Sequence, residues 1–373
     1  MTLLVQDFLR SNSVQSLCDK YSILAKQHSK YPNLYLLKYD QIKSNMKDSL
    51  VQECRGIILD QDQDWKVISF PYTKFFNYGE SEAAEIDWRT AQIYEKLDGS
   101  LCTLYWYDNK WNVATSGTPD ASGEVNGFGM TFEKLFWDVW EQLGYDAPND
   151  RLCCYMFELC TKYNRIIVQH KKSRLVLHGA RSILEECSFA EVEPQLAVQE
   201  TLLRSNNWEV VQRYPLGSVK DILDSLHSMS PTEQEGYVVV DAKFNRIKVK
   251  SPRYVALHRM IDGMSSKRML EIVRTNESSE FLSYFPEWAE LYNEIKDKYF
   301  ALLIEVNQCY NQFKSIENQK EFALAVKDFA FRGALFTMRN GKVKSFEEYF
   351  KDIQIKNLES LLELKNKTLS ESQ

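Results

Sequence analysis

The chain has 373 residues, 44% apolar and 26% charged, which is enough to bury the cores of two ordinary domains. A net charge of −6 excludes a protein that coats nucleic acid indiscriminately, but it leaves room for a local basic cleft. No apolar run reaches transmembrane length, there is no basic leader or lipidation motif, and the eight scattered cysteines contain no CxxC pair. A membrane span, a secreted disulfide scaffold and a structural zinc site are therefore not expected, and the thiols are read as reduced in a cytoplasmic protein.

Residues 1–30 read as helix, with Leu3, Leu4, Phe8, Val14, Leu17 and Tyr21 roughly on one face. From about 51 to 115 the pattern turns to short β-rich runs, "RGIILD", "WKVISFPYTKFF" and "LCTLYWYDNKWNVATSG", with a hairpin turn at "DNK" (108–110). Residues 131–144 predict an amphipathic helix ending at a glycine. Strands return in "LCCYMFEL", "RIIVQH", "SRLVLHGARS", "EGYVVVDA" and "NRIKVK", interrupted by helices expected over 184–205 and 218–228. Beyond about 255 the β signal stops. Ile295, Tyr299, Leu302, Val306, Cys309 and Phe313 then step by four and three along one helix face, "SFEE" (345–348) looks like a capping box, and the tail is expected to fray. The expectation is an α+β body over 1–255, followed by an all-helical domain over 256–373.

The stretch "YEKLDGS" (94–100) places Lys96 between Glu95 and Asp98, with Gly99 next. Read alone, it is most simply a solvated turn. As a nucleophile, Lys96 would need its pKa of about 10.4 brought down to roughly 7–8, by burial or by nearby cations. "IKVK" supplies such cations, since Lys248 and Lys250 are two apart and so project from one face of a strand. Glu158 in "MFEL" and Glu235 in "EGYVVV" offer carboxylates for a divalent ion or a sugar hydroxyl. Each of these signals is weak alone. In one domain, in this order, they point to phosphate chemistry.

The series "EKLDGS" (95–100), "MFEL" (156–159), "LVLHGARS" (175–182), "EGYVVV" (235–240) and "IKVKS" (247–251) resembles the motif series of covalent nucleotidyltransferases, the ligases and capping enzymes. "ECRGIILD" (53–60), "TKFFNYGE" (73–80), "NRIIV" (164–168) and "KSPRYV" (250–255) resemble more narrowly the ATP-dependent RNA ligases of the T-even bacteriophage type, as does a helical C-terminal domain in place of a β barrel. The resemblance implies an antiparallel-sheet ligase body, ATP with Mg²⁺ or Mn²⁺, and an RNA partner bearing 5′-phosphate and 3′-hydroxyl ends, acted on by a monomer. It implies Lys96 as the adenylated nucleophile and Glu158 on the ribose. Glu235 would serve the metal, Lys248 and Lys250 the α-phosphate, and Arg55 and Lys74 the triphosphate tail or the RNA 5′-phosphate. Glu95, or the backbone beside it, would read the adenine, and Arg181 and Tyr254 match positions near the pocket. The stretch "VATSGT" (113–118) departs from the pattern, with Thr115 and Ser116 where the phage enzyme carries lysines. A DNA ligase, a GTP-using capping enzyme and a non-catalytic RNA-binding protein with a worn ligase body are the alternatives.

Overall fold

A single serine divides the expected N-terminal helix. In the computed structural model, which describes residues 2–201, 204–261, 265–275, 282 and 288–364, Ser13 Oγ accepts from Ser16 N at 3.1 Å and starts a second helix. Leu4–Ser11 and Val14–Tyr21 are therefore separate, and Ser22, at φ +55°, turns the chain into the strand Ile23–Gln27. The serine offers the backbone a cap where the apolar spacing alone suggested continuity.

Three antiparallel sheets follow. The first pairs Ile23–Gln27, Leu34–Tyr39, Arg55–Asp60 and Lys66–Ser69 in that order. The second runs Glu191–Val192, Arg174–Ser182, Cys153–Cys160, Ser100–Tyr107, Lys110–Thr115, with Glu209–Val210 added in parallel to Arg174–Ser182. Its hairpin turns at Asp108 and Asn109, both in the left-handed region at φ +50° and +57°, as a two-residue turn matched to strand twist requires. The third sheet runs Arg213–Tyr214, Gln92–Lys96, Gly236–Val240, Arg246–Lys250, with Phe76–Asn77 added in parallel at its edge.

Apolar faces set how these layers pack. Ile93, Tyr237, Val239, Ile247 and Val249 on one face of the third sheet bury against Ile222 and Leu226 of the helix Val219–Ser228. The alternating partners Tyr94 and Val240 face the other way, toward Cys160 and Val176 of the second sheet. The helix Phe132–Leu143, capped by Gly144 at φ +63°, lays Leu135, Phe136, Val139 and Trp140 on the outside of the second sheet. The cavity described below opens where the inner faces of the second and third sheets meet.

Two expected elements differ. Residues 184–205 form no long helix. The described part gives the strand Glu191–Val192, one helical turn at Pro194–Ala197 and the strands Gln199–Thr201 and Arg204–Ser205. "RIIVQH" is not a strand, because the amides of Ile167 and Val168 are spent on a side chain, Asp98, instead of a ladder.

The structure divides into two compact units, 1–257 and 258–373. Every element described in the second is a helix, the longest being Ala289–Phe313 with Ile295, Tyr299, Leu302, Val306 and Cys309 buried along one face. Ser345 caps Phe346–Asp352 by accepting from Glu348 N at 3.1 Å, while Glu348 Oε2 returns to Lys344 N, one residue before the expected capping-box partner. The tail expected to fray, 366–373, lies outside the described residues.

Glycine is required at 236. Its φ is +153°, and a Cβ would stand 2.3 Å from the Val249 carbonyl oxygen. Gly236→Ala is expected to lower stability by about 1–3 kcal/mol, seen as a lower urea midpoint. An unchanged midpoint would refute this requirement.

Candidate active site

Strand register brings the predicted residues together. Gly236 pairs with Lys96 on one side and Lys250 on the other, so Lys96, Gly236 and Lys250 form one row across three strands, with Glu235 at its end. The next row on the same face is Tyr94, Val238 and Lys248, and the next is Gln92, Val240 and Arg246. This sheet face forms one wall of a cavity of about 290 Å³. Arg55, Glu95, Lys96, Glu158, Lys248 and Lys250 all line it, together with the apolar side chains of Tyr94, Leu97, Val211, Val240 and Phe244. Glu95 lies on the opposite face of its strand from Lys96, so it contributes main chain to the wall.

Glu235 is 3% exposed and carries both neighbouring ammonium groups. Its Oε2 accepts from Lys96 Nζ at 2.5 Å, and its Oε1 lies 2.8 Å from Lys250 Nζ. Burial alone would raise the Glu235 pKa, but the charges and hydrogen bonds of Lys96 and Lys250 outweigh it and hold the carboxyl below its usual range. Removing Glu235 would leave two cations facing each other in a half-buried site.

Lys248 has no such partner. Burial, followed by repulsion from Lys96, Arg55, Lys74 and Lys250, lowers its pKa from an ordinary 10.5 to about 7. Its ammonium lies over the Phe75 ring, 5.2 Å from the centroid. Arg55 lies over the same ring at 4.9 Å, with its Nη1 buried and unpartnered. Lys74 rests between the rings of Tyr39 and Phe76, at 5.0 and 5.4 Å, and is not among the residues lining the cavity.

The loop carrying the lysine is clamped by Asp98, whose role the sequence pattern did not reveal. This carboxylate is 2% exposed. Its Oδ2 accepts from Ile167 N at 2.9 Å and Val168 N at 2.7 Å, and its Oδ1 accepts from the Tyr254 hydroxyl at 2.7 Å. Burial, with Glu235 and Asp98 nearby, pushes the Tyr254 pKa far up, so the hydroxyl remains a donor. His170 Nε2 lies 2.6 Å from the Asp98 carbonyl oxygen. Gly99 permits the loop to press on the next strand, since a Cβ there would lie 2.5 Å from the Leu159 oxygen. The signals for this clamp were in the sequence, in "LDG" and "KSPRYV", but only folding joins them across 156 residues.

Glu158 faces His178, with Oε2 3.3 Å from Nε2 but without hydrogen-bond alignment. Tyr72 stacks on the His178 ring and donates to the His178 carbonyl oxygen at 2.8 Å. Behind this wall Glu191 is shared by two buried arginines, Arg181 and Arg246, the latter at 2.8 Å. Burial opposes ionisation of Glu191, and the two guanidinium groups overcome it. Arg181 thus braces the wall instead of facing a ligand.

The RNA ligase family profile matches residues 53–254 of this chain, a span that contains every residue lining the cavity just described. The chain belongs to the RNA ligase family. An RNA ligase of Rhodothermus phage RM378 is 25% identical to it over 397 aligned residues, covering 88% of this chain and 90% of the phage protein. A solved structure of Naegleria gruberi RNA ligase with ATP and Mn matches at 15% identity with a TM-score of 0.33, covering 46% of this chain and 52% of that one. No helix among the described residues of the ligase is long and apolar enough to cross a membrane.

The Lys248 shift has a pH signature. Between pH 7 and roughly 10 the unfolded lysine holds a proton that the folded one has lost, so unfolding takes up protons and stability rises with pH through that window. Lys248→Met is expected to raise the urea midpoint at pH 7 and to flatten its rise toward pH 9. Identical pH profiles for the variant and the parent would contradict this account of Lys248.

Proposed function

We propose that the chain is an ATP-dependent RNA strand-joining enzyme that works through Lys96. The observation that carries this reading is the row Lys96–Gly236–Lys250. It aims a primary amine into a cavity where further cations stand ready for phosphate. Lys96 Nζ would attack the α-phosphorus of ATP, forming a P–N bond while the α–β P–O bond breaks and pyrophosphate leaves. A 5′-phosphate oxygen of RNA would then displace Lys96 from that phosphorus. Last, a 3′-hydroxyl would attack the 5′-phosphorus, form the phosphodiester and release AMP. The same α-phosphate is held in the first two steps, so one set of lysines serves both.

Tyr94, Val211, Val240 and Phe244 offer apolar surface to a flat base, with main-chain groups near Glu95 to read its edge. Glu158 stands at the cavity edge where a ribose hydroxyl could be bound. Among the described residues no three His, Cys, Asp or Glu cluster as a ready metal site. Both Glu235 oxygens already face ammonium groups. A divalent ion would therefore be held chiefly by phosphate oxygens, and Glu235 would join it only by giving up an ammonium contact. Such an ion would neutralise charge building on the leaving pyrophosphate.

The free thiols are consistent with a reducing, cytoplasmic setting and the basic cleft with an RNA bearing 5′-phosphate and 3′-hydroxyl ends, on which the protein would act as a monomer. We assign nucleotidyl transfer to 1–255 and RNA selection to the helices beyond.

Two measurements test this reading. With α-labelled ATP and Mg²⁺ on a denaturing gel, the parent protein should carry label and Lys96→Ala should carry none. RNA affinity, set mainly by phosphate contacts elsewhere, should change little. Label surviving in the variant would move the nucleophile, and label from GTP alone would turn the assignment to capping. A chain ending after residue 261 should keep more labelling than joining, and equal loss of both would undo the division of labour.

A further inference from the structure

Arg55 and Lys248 line one end of the cavity, two further cations approach it from behind, and among the described residues none of the four is ion-paired with a carboxylate. Arg55 and Lys248 line the wall, and Lys74 is close enough to Lys248 to lower its pKa. The fourth is Lys38, which no sequence motif singled out. It sits opposite Arg55 in the paired strands Leu34–Tyr39 and Arg55–Asp60, on the same side as Leu34 and Leu36. Its Nζ lies 4.0 Å from the point a Cβ on Gly117 would occupy. The adjoining Ser116 packs on Gly56, with its Cα 3.4 Å from the corresponding Cβ point there. Lys38 therefore arrives from another strand at the turn Thr115–Thr118, the segment that lacks lysines of its own.

The contrast with neighbouring charges is informative. Lys96 and Lys250 share Glu235, and Arg181 and Arg246 share Glu191. Among the described residues, Lys38, Arg55, Lys74 and Lys248 have no ion pair with a carboxylate, and Arg55 Nη1 is buried without a partner. Mutual repulsion on this scale is retained where a polyanion is bound. A 5′-monophosphate brings only about −1.5 to −2, less than the charge that Lys38, Arg55 and Lys74 carry together, before Lys248 is counted. A two-phosphate group brings more.

We propose that Lys38, with Arg55 at the Ser116–Gly117 turn, binds the distal phosphates of the nucleotide attacked by Lys96. The inference rests on the nucleotidyl-transfer reading above. It makes Lys38 a nucleotide-binding residue used in the first step, when pyrophosphate is still attached, and idle in the last, when none is present. An RNA 5′-phosphate has the same chemistry as a ligand, so separate partial reactions must distinguish the two sources.

The test compares the parent, Lys38→Ala and Lys38→Arg as full-length chains, with urea midpoints confirming that each is folded. Lysyl-AMP formation is measured against ATP concentration, AMP transfer from pre-labelled enzyme against 5′-phosphorylated RNA, and sealing with chemically pre-adenylated RNA. Inorganic pyrophosphate binding is measured by calorimetry. Loss of one charge-assisted contact should raise the KM for ATP about 10- to 100-fold in Lys38→Ala and weaken pyrophosphate binding in step. Lys38→Arg should recover most of both, and sealing of pre-adenylated RNA should stay within about twofold of the parent. An unchanged KM for ATP would overturn the proposal. So would equal loss in sealing, which would make Lys38 structural. Impaired AMP transfer with a normal KM for ATP would overturn it by giving the site to the RNA phosphate. A parent that takes no label at all would instead remove the reading on which the inference rests.

Discussion

A carboxylate buried between two ammonium groups sets the arrangement of this cavity. Glu235 closes the row Lys96–Gly236–Lys250, and each of its oxygens faces one lysine. It offsets the cost of holding two half-buried ammonium groups side by side. The glycine in the row follows from the same constraint. With the three strands this close and Glu235 turned onto Lys96 and Lys250, the next residue takes φ +153° and has no room for a side chain. Glu235 thus fixes both the aim of Lys96 and the sequence around it.

Charge is compensated unevenly across the cavity. At the Glu235 end, two ammonium groups share one carboxylate. At the Arg55 end the cations share none among the described residues, and the imbalance shows in Lys248, pushed down to about 7 by burial and by its cationic neighbours. A site balanced throughout would hold its lysines firmly and attract phosphate weakly. Leaving one end uncompensated costs stability in the free protein and makes the same groups available to a polyanion.

Rigidity comes from outside the charged set. Asp98 ties the lysine loop to Ile167, Val168 and Tyr254, drawing three distant segments onto one carboxylate. The triad Arg181–Glu191–Arg246 stiffens the wall behind Tyr72 and His178. Reacting groups must be held to within a fraction of an ångström for phosphoryl transfer. Such braces would serve the proposed chemistry by holding the wall and the lysine loop in place.

Much was legible in the sequence, for stated reasons. Period-two alternation gave the strand at 246–250 and placed Lys248 and Lys250 on one face, as the burial pattern there has it. Periods of three and four gave Val219–Ser228, Phe132–Leu143 and Ala289–Phe313. Residue order alone, through its resemblance to a known motif series, named Lys96, Glu158, Glu235, Lys248, Lys250 and Arg55, which the structure gathers around one cavity. In two of the readings that failed, a side chain took over backbone work. Ser13 capped a new helix inside an apolar period, and Asp98 drew the amides of 167 and 168 away from any strand. Local patterns can determine periodicity and residue type, because those are properties of neighbours in the chain. Strand register, the pairing of Glu235 with two lysines, the Asp98–Tyr254 bond and the arrival of Lys38 at Gly117 join residues far apart in sequence, so only the tertiary fold could decide them.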